Sequence, residues 1–62
     1  MNRYIVRINP VYKETLKQYG NILFDSKLID GLMGIESELS LEEMNNIPHV
    51  TMVENDREGT FN

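Results

Sequence analysis

The chain has 62 residues, ten acidic against six basic, a net charge of −4 and no cysteine. A chain this short makes one domain at most and buries only about 60% of the surface its unfolded form exposes; without thiols, neither disulfides nor a thiolate metal site can supplement the core. The acidic balance disfavours nucleic acid as a partner, and no apolar run exceeds three residues, far short of the roughly 20 that a membrane-crossing helix needs.

Met1, Asn2 and Arg3 lead directly into strand-like sequence, with no apolar secretory segment, as expected of an intracellular protein or of a trimmed chain. The β-branched and aromatic run from Tyr4 to Ile8 predicts a first strand. Asn9-Pro10 then signals a helix start, with Asn as cap and Pro in the first turn. From Pro10 to Tyr19, Tyr12, Leu16 and Tyr19 fall at helical spacing, and Gly20 is placed to end the helix in the left-handed conformation. Asn21 to Phe24 and Lys27 to Ile29 read as one strand bent around Asp25-Ser26, followed by an Asp30-Gly31 hairpin turn and a third strand from Leu32 to Glu36. A short second helix follows, capped by Ser37 or by Ser40, which with Glu43 would make a capping box; its buried positions are Leu41 and Met44, and Asn45, Asn46 and Pro48 end it. Val50 to Glu54 is the last strand.

The order β-α-β-β-α-β is the split pattern of ferredoxin-like α+β folds, a four-stranded antiparallel sheet with two helices on one face. The other face of such a sheet should read polar. Here Ile22-Leu23-Phe24, Leu28-Ile29, Leu32-Met33 and Met52-Val53 set apolar neighbours side by side, so some must point away from the helices. An apolar face of that kind calls for a partner. Strand alternation also puts Glu54 and Asp56 on one side at the end of the last strand, where paired carboxylates suit the partly positive N-termini of two helices.

No residue set supports catalysis. His49, the sole histidine, sits beside Pro48 at a turn, and no nucleophile and base accompany it. Asp25, Asp30 and Gly31 lack the spacing of a calcium loop, and the glycines form no phosphate or dinucleotide fingerprint. Glu36, Glu38, Glu42, Glu43, Glu54, Asp56 and Glu58 read as a solvated acidic surface rather than a coupled acid and base. With neither metal nor cofactor implied, a non-catalytic binding module remains.

Tyr4-Ile5-Val6, the string LIDGLMGIE from 28 to 36, Leu41 with Met44, and PHVTMVEND from 48 to 56 resemble the prodomains of subtilisin-like serine proteases, the propeptide-inhibitor family. The resemblance covers nearly the whole chain and is most specific in its C-terminal string. It implies a domain over 1–56 that assists folding of the protease and then inhibits it in a one-to-one complex, its open sheet face packed on two protease helices that Glu54 and Asp56 cap. It implies a tail over 57–62, Arg57, Glu58, Gly59, Thr60, Phe61 and Asn62, lying in the active-site cleft like a bound product. Asn62 would enter the specificity pocket, with Phe61 as its rival. The chain departs from the family pattern at Glu36, where an apolar residue is usual, and at Gly59, which offers no side chain to an apolar subsite. A free-standing subtilase inhibitor of the same fold and a self-associating ferredoxin-like regulatory module are the alternative readings; the family is often secreted.

Overall fold

A computed structural model describes Met1–Asp56. Its elements are strand β1 (Asn2–Ile8), a 3-10 helix (Pro10–Gln18), β2 (Asn21–Asp25), β3 (Leu32–Ser37), helix α1 (Leu41–Asn45) and β4 (Val50–Asn55). The strands form one antiparallel sheet in the order β2-β3-β1-β4, so the first strand lies inside and β2 and β4 form the edges.

Alternation along β1 sends Tyr4, Val6 and Ile8 to one face. There they meet Met33 and Ile35 of β3, opposite Val6 and Tyr4 in register. Leu16 of the 3-10 helix, Met44 of α1 and Ile47 just after it enter the same buried cluster. The polar atoms that reach this core are satisfied: the Tyr4 hydroxyl donates to the Leu39 carbonyl at 2.6 Å, and the Ser37 hydroxyl donates to the Tyr19 carbonyl at 2.6 Å while accepting from the Leu39 N–H. Burial without these bonds would cost more than the groups contribute.

The first helix differs from expectation in kind. It winds as 3-10 rather than α, opened by Asn9, whose side chain accepts the Val11 N–H at 3.0 Å and whose carbonyl accepts from Tyr12 at 2.8 Å. Val11, Tyr12 and Thr15 give the segment little α-propensity. Three residues per turn set Lys13 and Leu16 in one row, so Leu16 fills the core while Lys13 reaches Asp25 at 3.2 Å and Asp30 at 3.6 Å. Tyr12, expected inside, is exposed. Gly20 is not left-handed either; among the described glycines the one with a positive φ is Gly31. Gly20 is needed for close approach, because a Cβ there would collide with the Glu36 carbonyl of β3.

The segment Lys27 to Ile29 does not extend β2. The Ser26 hydroxyl accepts the Ile29 N–H at 3.1 Å, turning the chain, and the Ser26 N–H donates to the Leu32 carbonyl at 2.9 Å to close the loop. Gly31, at φ 89°, completes that turn and its carbonyl accepts from the Ile8 N–H at 2.9 Å. Leu28 is thus left in solvent rather than in a strand. Of the two candidate caps of α1, Ser40 rather than Ser37 takes the role, and its capping box forms, with Glu43 N–H to the Ser40 hydroxyl at 3.1 Å and Ser40 N–H to the Glu43 carboxylate at 2.9 Å. Leu41, however, stays partly exposed, and Ile47 takes its place in the core.

Candidate functional site

The face of the sheet away from Leu16 and Met44 is built from three cross-strand rows. In the first, Glu36 of β3 lies opposite Arg3 of β1, and the Asp56 N–H donates to the Arg3 carbonyl at 2.9 Å, carrying the ladder one step past β4. In the second, Gly34, Ile5 and Glu54 stand in line. In the third, Arg7 lies between Leu32 and Met52. A bulge in β4 after this row, between the partners of Arg7 and Ile8, absorbs Thr51, whose hydroxyl donates to the Arg7 carbonyl at 3.2 Å.

A second bulge, at Leu23 of β2, turns Phe24 onto the same face opposite Gly34. The ring of Phe24 lies over the glycine so closely that a Cβ on Gly34 would collide with it. The apolar part of this surface is therefore Phe24, Ile5, Leu32 and Met52, while Ile22, Met33 and Val53 point to the core. Leu28 and Ile29 belong to the preceding loop and not to this face.

Charges are interleaved with these side chains. Arg3 and Glu36 form an ion pair at 3.5 Å, and Glu36 is half-buried beneath it, which explains how a carboxylate occupies a position where an apolar residue was expected. Glu54 is exposed and Asp56 partly so, and alternation puts their carboxylates on the same side two residues apart. Phe24 belongs to one of the runs whose apolar neighbours load both sheet faces, whereas Arg3, Ile5 and Arg7 are not singled out by the sequence as surface contacts; their alternation against Tyr4, Val6 and Ile8 was the available signal.

The other candidates raised by the sequence lie elsewhere. His49 is exposed at the turn before β4, with φ 71°, its ring stacked on Tyr12 at a centroid distance of 3.6 Å and its carbonyl accepting from the Asn9 N–H. Those contacts tie the turn to the 3-10 helix and bring no carboxylate to the imidazole. Among the described residues no three His, Cys, Asp or Glu side chains are grouped to hold a metal ion. A depression of about 470 Å³ at the end of the sheet is lined by Lys17, Tyr19, Gly20, Ser37 and Leu39, but its Ser37 hydroxyl is already engaged. The tail from 57 to 62, with Asn62 and Phe61, lies outside the described residues.

This surface carries apolar side chains, with two carboxylates two residues apart at one end. No family model matches the chain, and neither a curated protein nor a solved structure was found to match it.

Proposed function

We propose that the chain is a ferredoxin-like propeptide-inhibitor domain, with both helices on one sheet face, that acts on a subtilisin-like serine protease as a folding chaperone and a product-like inhibitor. The observation that supports this reading is the register that sets Glu54 opposite Ile5 and Asp56 beside Arg3, at the end of β4 and on the sheet face opposite Leu16 and Met44. Carboxylates so placed suit the unpaired N–H groups at two helix starts, and Phe24, Ile5, Leu32 and Met52 offer an apolar contact beside them. In this reading Arg57 to Asn62, which follow Asp56 in the sequence, supply the segment for the cleft, with Asn62, or else Phe61, in the specificity pocket. The sequence resemblance supplies the identity of the partner; the chain itself performs no catalysis in this reading.

The test is a titration of the intact chain into a subtilisin-like protease, following peptide hydrolysis. Tight one-to-one inhibition is expected, and a chain ending at Asp56 loses most of it while still associating through the sheet. Folding assistance is checked by adding the chain to denatured protease and measuring the rate at which activity returns. A chain that leaves the protease fully active and sediments as a homodimer is instead the self-associating module.

A further inference from the structure

The open face is electrically lopsided. Arg3 is held by Glu36, and with Glu54 and Asp56 nearby that end of the face is anionic. At the other end stands Arg7, exposed, flanked by Leu32 and Met52, and absent from the ion pairs among the described residues. Glu54 lies on a diagonal from Arg7, about 7 Å away between backbones, because Glu54 is opposite Ile5.

A partner that covers Leu32 and Met52 also takes water away from the guanidinium between them. Covering it with apolar groups alone leaves an uncompensated charge, which is strongly unfavourable. A planar guanidinium with five N–H donors is best met by a carboxylate, which accepts two parallel bonds.

We propose that Arg7 is a specificity contact which takes an Asp or Glu side chain on the docked protease, about 13 Å along the strand from where Asp56 meets that partner. This rests on the protease-binding reading and adds a requirement to it: the cognate surface carries positive potential at one end of the footprint and a carboxylate at the other. Proteases that share the helix pair but lack the carboxylate bind the chain more weakly, so Arg7 sorts partners within one class.

Full-length Arg7→Lys and Arg7→Leu chains are titrated into a subtilisin-like protease that the wild-type chain inhibits, at low and high salt. Because Arg7 is exposed, the wild-type thermal melt is expected for both, which separates contact from folding. Arg7→Leu weakens inhibition about tenfold at low salt, and the difference narrows at high salt, whereas Arg7→Lys stays within about threefold of wild type. An Arg7→Leu chain that inhibits as well as wild type, or better, at both salt concentrations overturns the contact and leaves the protease-binding reading standing. Absence of inhibition by the wild-type chain removes both.

Discussion

Ser40 and Glu43 satisfy each other's orphan N–H groups at the start of α1, so Ser40→Ala removes a cap from a helix of only five residues. We expect a loss of about 1 kcal/mol in urea unfolding. The bond from the Ser40 backbone N–H, with the Ser40 hydroxyl, holds the Glu43 carboxyl below its ordinary value. A depressed carboxyl stabilises the fold above its unfolded pKa, and that contribution is lost as pH falls through the folded value. The acid limb of a stability-against-pH curve therefore flattens in Glu43→Gln. Gly34 is a position of a different kind: Gly34→Ala forces the exposed Phe24 ring to turn off the glycine, so a shift in Phe24 resonances is expected with a stability loss of only about 0.5–1.5 kcal/mol. The capping box was legible because its residue types and spacing are local. The requirement at Gly34 was not, since it exists only once a bulge in β2 aims Phe24 across the strand gap.

At the scale of elements, the 3-10 helix depends on one buried side chain, Leu16. Leu16→Ala is expected to cost about 2–5 kcal/mol, an amount similar to all the stability a core of this size usually supplies. A chain largely unfolded at room temperature by circular dichroism is the expected result; a cooperative melt close to wild type would falsify the assignment of Leu16 as the anchor. The same helix is tied to β2 through Lys13, whose ammonium is held above its ordinary value by Asp25, first through a hydrogen bond and then through charge, with Asp30 adding to it. A raised ammonium pKa contributes stability that is complete below its unfolded value and disappears as pH rises through the folded one. Lys13→Met is expected to remove that alkaline loss. The existence and order of all six elements were readable from hydrophobic pattern and turn residues. The type of the first helix and the end of β2 were not: Leu16 had to reach a core built by strands distant in sequence, and the turn that Ser26 makes with Ile29 and Leu32, although local, competes with an extended chain that Lys27 to Ile29 suit equally well.

At the scale of the whole molecule, the sheet divides its side chains into a face that packs Leu16, Met44 and Ile47 and a face of alternating apolar and charged rows. Under the proposed function, replacing Glu54 and Asp56 together by Ala weakens protease inhibition severalfold at low salt and by less at high salt, as measured from inhibition constants. Equal inhibition at low salt would leave these carboxylates without a capping role. The open face is less apolar than the sequence suggested. Leu28 and Ile29 are loop residues, and Arg3, Arg7, Glu36 and Glu54 share the surface with Phe24, Ile5, Leu32 and Met52.

By itself the sequence determined which residues alternate, where helices start and that the chain turns at Asp30-Gly31, since propensity, capping and turn residues act over a few neighbours. It also determined that Glu54 and Asp56 share a side, because a strand repeats every two residues. The fold alone decided which charges meet which apolar groups, since the register of β1 against β3 and β4, with two bulges, fixes those neighbours through hydrogen bonds between segments far apart in the chain. It paired Arg3 with Glu36, laid Phe24 over Gly34 and set Arg7 between Leu32 and Met52.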